Sequence, residues 1–313
     1  MDFDKLNICQ VTLSGNIDII KRNYLNFKQF YNNFQIFIIC PNADLKKFKE
    51  ELKFTNLQIY DEDKIIKFDR FQEIANSILK KTNYYEKIQD RLGWYYQQVL
   101  KLTFMYNFIK LHNEKLLIWD ADTIILKKIK FFDNEKSITY GTTNEFFKAY
   151  YATNKTILGE IPKYFVSSVC QFSAVTPNDL KNLLSKLSNF EPLKKDTAEW
   201  FTSIIFEAIN KTHKEYNGSL FSEYELIGHA KLLKNRKPQI LISGIREGLD
   251  GVLSNFQENI IKMLNYKHVT YENVNQLDNK QNFIPLIKIL IKKTSNKIYR
   301  GLKHFFLKKY NYD

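Results

Sequence analysis

The chain has 313 residues, 44% of them hydrophobic, with ten glycines, six prolines and a net charge of +13. This composition supports a large buried core and excludes collagen-like, linker-like and low-complexity disordered chains. Three cysteines, Cys9, Cys40 and Cys170, are too few for a disulfide framework or a thiolate zinc site, so we expect a reduced, cytosolic protein.

No secretory or membrane-spanning segment is predicted. The first seven residues carry two acids and no apolar run. The longest apolar stretches, residues 34–40 and 284–291, have seven and eight residues. A transmembrane helix needs roughly 18, so we expect neither a leader nor a membrane span.

Apolar strands and amphipathic helices alternate from the start of the chain. The hydrophobic pattern predicts, in order, a strand at 6–13, a helix at 17–31, a strand at 34–40, a helix at 44–52 and a strand at 57–60. Strands that are apolar throughout indicate a parallel sheet covered on both faces. Ligands of such sheets lie at the carboxyl ends of the strands, where this sequence has Thr12 and Asp61.

The pattern continues into a single α/β domain. The later predicted elements are helices at 68–80 and 91–110, strands at 115–119 and 172–175, helices at 177–187, 197–210 and 222–233, and a strand at 239–243. No Pro/Gly/Ser linker divides the chain before its basic end. We therefore predict one α/β domain with a mixed, mainly parallel sheet at 1–275 and a tail at 276–313.

Two carboxylates, Asp120 and Asp122, follow the buried strand at 115–119 with one residue between them. Burying like charges is costly without compensation, and a divalent cation is the usual solution. Such oxygen ligands suit Mg²⁺ or Mn²⁺, which commonly also bind substrate phosphates. The metal would then act as a Lewis acid on a leaving diphosphate. The alternative is a polar turn in which the two side chains only cap the following residues.

The same aspartates also fit a phosphatase of the haloacid dehalogenase type, with Asp120 as nucleophile and Asp122 as acid or base. That class needs a paired acidic metal motif downstream, and none is found after residue 123. It also normally has its aspartates near the start of the fold. Here a complete strand–helix–strand–helix–strand unit precedes them.

The helix predicted at 91–110 carries a polar stripe. Arg91, Trp94, Gln98 and Lys101 share one helical face at spacings of 3, 4 and 3. Their cations, indole and amide are suited to bind a diphosphate and a sugar or base. Arg91 or Lys101 would help to neutralise the leaving group. The alternative is a solvated helix face with a half-buried tryptophan.

A third segment begins the helix predicted at 222–233. Ser222 and Glu225 have the spacing of a helix capping box, which leaves Glu223 unassigned. A carboxylate near a helix start is a candidate general base for a sugar hydroxyl, although the helix dipole is expected to keep its pKa low.

Together the segments GWYYQQVLKL, LLIWDADTIIL and FSEYELIG resemble, in order and separation, an uncharacterised bacterial family of GT-A-type glycosyltransferases. The resemblance covers roughly residues 5–245. It implies a GT-A-like, Rossmann-type nucleotide-sugar-binding domain. The implied activity is metal-dependent transfer of a sugar from a nucleotide diphosphate sugar to a surface polysaccharide or glycolipid. A non-catalytic nucleotide-sugar-binding protein is the other alternative.

The resemblance also implies roles for individual residues. It makes Asp120 and Asp122 the ligands of Mn²⁺ or Mg²⁺, with Asp120 also contacting the donor, and it makes Glu223 and Glu225 the catalytic candidates. The donor-side residues that it implies are Trp94, Gln98 and Lys101.

The chain departs from this family at one segment. Members often carry a pair of histidines where residues 167–171 read Ser-Ser-Val-Cys-Gln. The difference bears on acceptor choice or mechanism. His229 and His268 are the candidates for a third metal ligand, which stays open.

The basic charge is concentrated in the tail. Residues 280–313 hold nine Lys or Arg and one Asp. On a helix, one face would carry six apolar residues of this segment, Ile284, Ile287, Ile291, Ile298, Leu302 and Phe305. Such a basic amphipathic helix is typical of binding to anionic membranes. We expect a peripheral protein on the inner face of the cytoplasmic membrane, and no nucleic acid partner, because the body carries little excess charge. The alternative is a helix packed on the body.

Overall fold

The computed structural model describes residues 5–142, 147–163, 166–187, 190, 196–215, 218–234, 237–240, 244–245 and 255–271. The strands in this part of the chain are β1 (Leu6–Val11), β2 (Phe34–Cys40), β3 (Leu57–Asp61), β4 (Leu116–Trp119), β5 (Thr123–Ile125), β6 (Phe132–Asp133), β7 (Lys136–Ser137), β8 (Tyr140–Gly141), β9 (Phe172–Val175), β10 (Gln239–Ile240), β11 (Gly244–Ile245) and β12 (His268–Thr270). The helices are α1 (Ile17–Phe30), α2 (Leu45–Glu51), α3 (Phe68–Leu79), α4 (Tyr85–Gln89), α5 (Leu92–His112), α6 (Lys148–Leu158), α7 (Pro177–Lys186), α8 (Thr197–Thr212), α9 (Glu223–Leu232) and α10 (Asn255–Met263).

The central sheet is mixed and mainly parallel, as the sequence predicts. Its strand order is β3-β2-β1-β4-β9. The pairs β1–β2, β2–β3 and β1–β4 are parallel, and only β9 runs antiparallel to its neighbour β4. The apolar strands at the start of the chain therefore form the parallel core of the sheet.

Helices cover both faces of this sheet. On β1, Cys9 and Val11 pack in a core with α3, α5, α8 and α9. Leu6 and Ile8, on the other face of the same strand, pack with α1 and α2. The connections on the two sides of β1 thus lie on opposite faces, so the crevice between the carboxyl ends of β1 and β4 is a topological switch point, where open α/β sheets bind ligands.

The crossover helix α5 is much longer than the strand that it precedes. Its 21 residues span about 31 Å, whereas the four residues of β4 span about 13 Å. Lys101, near the middle of α5, contacts Asp120 immediately after β4. The amino-terminal half of α5 therefore extends beyond the carboxyl edge of the sheet, beside the switch point.

A smaller sheet supports the turn after β4. Its order is β11-β12-β5, with β12 antiparallel to β5. The hydroxyls of Thr123 and Thr270 lie 2.8 Å apart, and the Tyr271 N–H donates to the Asp122 carbonyl at 2.9 Å. Because β5 and β12 are only three residues long, their sequences carry no period from which strands could be predicted.

Two expectations concern the end of the chain. The late strand predicted at 239–243 begins with β10, which pairs with β8, whereas 241–243 lie outside the described residues. The domain boundary at 275 and the tail at 276–313 also lie outside them. Over the part of the chain that the structure covers, none of the helices combines the length and apolarity needed to cross a bilayer.

Candidate functional site

A buried lysine joins three elements at the carboxyl end of β4. Lys101 on α5 is only 5% exposed. Its Nζ lies 2.6 Å from Asp120 Oδ1 and 2.7 Å from Glu223 Oε1. The same ammonium lies 4.7 Å from the centre of the Tyr224 ring. One cation thus links the helix α5, the turn after β4 and the first residues of α9.

Asp120 is held through both its side chain and its backbone. The Tyr224 hydroxyl donates to Asp120 Oδ1 at 2.6 Å. The Asp120 N–H donates to the Gln171 carbonyl at 2.9 Å, and the Tyr224 hydroxyl lies 3.4 Å from that same carbonyl. Gln171 has a φ of 66°, in the left-handed region that non-glycine residues seldom adopt. The segment before β9 is therefore shaped to present this carbonyl.

Charge compensation governs the ionisation of the cluster. Burial alone would lower the pKa of Lys101, but Asp120 and Glu223 raise it above its usual value, so the side chain is an ammonium ion. Burial raises the pKa of Glu223, and Lys101 offsets part of that effect. The expectation of a low pKa for Glu223 is wrong, because a side chain that is 3% exposed is governed by desolvation rather than by the helix dipole.

The start of α9 is capped from another helix. The Glu223 N–H donates to Gln98 Oε1 on α5 at 2.9 Å, and Gln98 is buried. The Ser222 side chain makes no capping hydrogen bond. The capping box expected between Ser222 and Glu225 is therefore wrong: Glu225 turns away and accepts the Ser168 N–H at 3.0 Å.

The predicted polar stripe of α5 divides into two halves. Gln98 and Lys101 are buried in contact with α9, whereas Arg91 is exposed and Trp94 is half-buried. The Arg91 guanidinium lies 4.9 Å from the centre of the Trp94 ring. Trp94 precedes Lys101 by seven residues, or about 10 Å along the helix axis. Trp94 and the preceding Arg91 are therefore at the end of α5 that extends beyond the sheet.

Thr12 lies at the switch point, on the loop that follows β1. It is 4% exposed; its N–H donates to the Ile39 carbonyl at 2.9 Å, and its hydroxyl accepts from Asn16 Nδ2 at 3.0 Å. The Ser14 N–H on the same loop donates to Asp44 Oδ2 at 2.8 Å. The loops after β1 and β2 are thereby tied together.

Asp61 ends β3 at the same edge of the sheet. It accepts from Asn42 Nδ2 at 2.7 Å and from the Asp63 N–H at 3.0 Å. These bonds tie the loop after β3 to the loop after β2. The loops after β1, β2 and β3 are therefore joined by hydrogen bonds into one surface, which we call the floor of the site. Thr12 and Asp61 both lie on this floor, and the hydrogen bonds that join it do not involve Lys101.

Glu62, next to Asp61, gives this floor a pH-dependent stability. Burial, together with Asp63, Asp61 and Asp44, raises the pKa of Glu62 from 4.5 to about 7. Because the pKa of Glu62 is higher in the folded chain than in the unfolded chain, the protonated side chain stabilises the fold. This stabilisation is complete below pH 4.5 and is lost as the pH rises through about 7. We expect Glu62→Gln to unfold at a higher urea concentration than the wild type at pH 8, with the advantage vanishing at pH 4.

The control for that measurement is Glu50→Gln, because the Glu50 side chain is 64% exposed. Urea denaturation of the three proteins at both pH values gives the comparison. An equal advantage of Glu62→Gln at pH 4 and pH 8 would contradict the assignment.

Asp122 supplies the second carboxylate of the turn. It is half-buried, and its Oδ1 lies 3.2 Å from the Thr123 hydroxyl. No group of three or more His, Cys, Asp or Glu side chains suited to a metal occurs within the described ranges. His229 contacts Glu225, and His268 packs on aromatic rings beside Trp119. The third metal ligand therefore stays open.

Two contributors to the site were not predicted. Tyr224 lies between the two candidate glutamates in the sequence, and this position is the one feature that would have indicated a role in the site. Gln171 acts through its carbonyl and a positive φ. A glutamine has no sequence signature for that conformation.

Comparisons with known proteins give a family but no established activity. The model of a family of unknown function, DUF6492, matches residues 12–235. A search of curated proteins finds no match.

Several solved structures show a distant likeness. Mouse xyloside xylosyltransferase 1 in its apo form has a TM-score of 0.41 at 10% identity, covering 86% of this chain and 98% of that one. The galactosyltransferase LgtC, in complex with donor and acceptor sugar analogues, has a TM-score of 0.32 at 10% identity, covering 63% and 70%. The PaToxG glycosyltransferase has 0.29 at 15% identity, covering 66% and 67%.

Proposed function

The chain belongs to DUF6492, a family of unknown function, and we propose that it is a metal-dependent glycosyltransferase using a nucleotide diphosphate sugar. The observation that carries the proposal is the network of Lys101, Asp120 and Tyr224 beside the switch point between β1 and β4. Charged groups are costly to bury, and parallel α/β sheets bind ligands at this crevice. Both facts favour a polar, phosphate-bearing ligand.

The carboxylates of the turn after β4 suit a divalent cation that would also be bound by phosphates of the substrate. Asp120 Oδ1 accepts hydrogen bonds from Lys101 and Tyr224, so the turn has few carboxylate oxygens with which to bind a cation. Mg²⁺ is commonly held by one or two carboxylates, with substrate phosphates and water completing its shell. Asp122 and Asp120 would hold the ion. When bound, it would neutralise charge on the leaving diphosphate.

The floor formed by the loops after β1, β2 and β3 is our candidate for the nucleotide site. Thr12 and Asp61 lie on it, at the carboxyl edge of parallel strands. From there a diphosphate would reach Asp120 at the switch point. Arg91 is an exposed cation immediately before α5, next to the half of the helix that extends beyond the sheet, and is suited to the leaving group. Lys101 and Gln98 would act by holding Asp120 and α9 in place.

The chemical step that we propose is a substitution at the anomeric carbon of the donor. An acceptor hydroxyl oxygen forms a bond to that carbon, the bond to the diphosphate oxygen breaks, and the diphosphate leaves with the electron pair. In an inverting reaction a base takes the hydroxyl proton. Of the two candidates from the sequence, Glu223 lies at the site, whereas Glu225 faces Ser168, away from it, so we propose Glu223 as the base. Trp94 offers an indole face on which a sugar would pack.

The acceptor and the location extend this proposal. We propose a glycan or glycolipid acceptor, with residues 280–313 holding the enzyme against the inner face of the cytoplasmic membrane. The argument is the charge pattern of that segment, which lies outside the described residues.

The test is metal-dependent release of nucleoside diphosphate from a panel of nucleotide sugars, with Mn²⁺, with Mg²⁺ and with chelator. Hydrolysis of the donor needs no known acceptor. We expect release from one donor with metal and none with chelator. Asp122→Asn should lower the rate at least about tenfold, since changing even the groups that hydrogen-bond to metal ligands costs about 10–100-fold and Asp122 would bind the ion itself.

Asp133→Asn is the matched control, because Asp133 lies in a hairpin with its side chain 63% exposed. Phosphate release from simple esters, without donor turnover, would favour the haloacid dehalogenase alternative. Donor binding without turnover would indicate a non-catalytic binding protein. Wild-type rates in Asp122→Asn would remove the metal role of the aspartate.

A further inference from the structure

A fully buried polar cluster lies directly behind the candidate site. Glu225 and His229, one turn apart on α9, are both 0% exposed. Glu225 Oε2 accepts the Ser168 N–H at 3.0 Å and lies 3.2 Å from His229 Nε2. His229 Nδ1 lies 3.2 Å from Asn154 Nδ2 on α6. A buried carboxylate is costly unless it is hydrogen-bonded. The hydrogen bond from Ser168 therefore stabilises the buried Glu225 carboxylate, and it also holds Ser168 in place.

Ser168 begins a short segment that leads to the site. The Cys170 N–H donates to the Ser168 carbonyl at 2.9 Å, which tightens the turn. Gln171 follows with its left-handed backbone and receives the Asp120 N–H. Strand β9 starts at the next residue. The segment therefore connects the buried cluster to the turn after β4 through four consecutive residues.

Helix α9 contacts this segment at both ends. Glu225 binds the N–H of Ser168, and the hydroxyl of Tyr224 lies near the carbonyl of Gln171 while donating to Asp120. Two adjacent residues of one helix thus contact the two ends of the segment, and Tyr224 also holds the side chain of Asp120, whose backbone N–H the segment accepts. The contacts form a closed ring.

Gly228 brings the segment against the helix. A Cβ at this position would lie 1.9 Å from Ser168 Oγ and 2.3 Å from Ser168 Cβ. Only glycine therefore allows Ser168 to sit on α9 in the register that directs its N–H to Glu225. The close approach and the hydrogen bond are two independent observations of the same fixed contact.

We infer that Glu225 is a positioning residue: by holding the Ser168 N–H it fixes residues 168–171, and through the Gln171 carbonyl it sets the orientation of Asp120. This inference rests on the proposed function for its kinetic consequences only. The effect on the backbone follows from the contacts alone. Glu225 itself would touch neither donor nor acceptor.

The first test changes the contact by size. Gly228→Ala inserts the methyl group against Ser168, and Gly228→Ala/Ser168→Gly removes the obstructing side chain. We expect donor turnover in Mn²⁺ to fall at least about tenfold in the single variant, with the KM for donor changed less than about threefold, and to recover in the double variant. Alanine is the better helix former, so helix propensity cannot explain a loss.

The second test changes the acceptor atom. Glu225→Gln keeps an oxygen for the Ser168 N–H, whereas Glu225→Ala removes it. We expect turnover near wild type in Glu225→Gln and a loss like that of Gly228→Ala in Glu225→Ala. Glu207→Gln on α8, where the side chain is 43% exposed, is the control for loss of a carboxylate.

Amide-resolved hydrogen–deuterium exchange tests the backbone effect without any assumption about activity. Exchange at Ser168 and Asp120 should rise at least about tenfold in Gly228→Ala and Glu225→Ala, with amides of β2 unchanged. Unchanged exchange at Asp120, or a uniform rise across the chain, would overturn the inference. A wild type that turns over no donor, with the expected exchange pattern, would refute the proposed function and leave the positioning intact.

Discussion

Lys101→Met is expected to lower the free energy of unfolding by about 3–5 kcal/mol, since removing one partner of a buried ion pair leaves an uncompensated charge. In this chain Asp120 and Glu223 would both lose their shared cation. Methionine fills similar space, so a cavity contributes little. Donor turnover should fall at least about 100-fold, because Asp120 loses the contact that holds its carboxylate. Urea denaturation and nucleoside diphosphate release measure the two effects.

The control is Lys211→Met, whose side chain is 62% exposed and 3.5 Å from Glu207; a surface pair of this kind contributes at most about 1 kcal/mol. The double variant Lys101→Met/Glu223→Gln removes one orphaned charge and should regain part of the stability without regaining activity. Equal stability of Lys101→Met and the wild type would mean that the cluster does not depend on this cation.

The parallel core of the fold was predictable because its strands are apolar along their whole length. Strands β1, β2 and β4 are buried on both faces, and the residues between them have helical spacing. The strand order that creates the crevice between β1 and β4 could not be predicted in the same way. That β4 lies beside β1 rather than beside β3 follows from packing between distant segments, and no local pattern encodes it.

The candidate site was predictable in its members but not in its contacts. Asp120, Lys101 and Glu223 were each selected from a different segment, and the structure brings them within hydrogen-bonding distance. Helical spacing places Lys101 on the stripe with Arg91, but it does not say that α9 covers one half of that stripe. The burial of Lys101 is therefore a tertiary property.

The capping box predicted between Ser222 and Glu225 does not form, for a related reason. Ser222 and Glu225 have a spacing that satisfies a helix start locally, and in an isolated helix it would. In the folded chain the Glu225 carboxylate accepts the Ser168 N–H instead of the Ser222 N–H, and the helix start is capped at the Glu223 N–H by Gln98. A competing partner from another segment decides between two arrangements that the local sequence permits equally.

Asp120→Asn should separate chemistry from stability. Asparagine keeps an oxygen for Lys101 and Tyr224, and Lys101 keeps one carboxylate in Glu223. We expect the free energy of unfolding to fall by no more than about 1–2 kcal/mol. Turnover should fall about 10²–10³-fold, since the charge that would hold a cation at the diphosphate is gone.

Asp133→Asn again serves as the exposed control, and the same two measurements apply. A loss of stability as large as that of Lys101→Met would mean that Asp120 serves the fold rather than the reaction. Turnover like that of the wild type would exclude it from the metal site. Lys101→Met lowers stability and turnover together, whereas Asp120→Asn should lower turnover almost alone, because one buried cation balances two carboxylates and the fold needs only one of them.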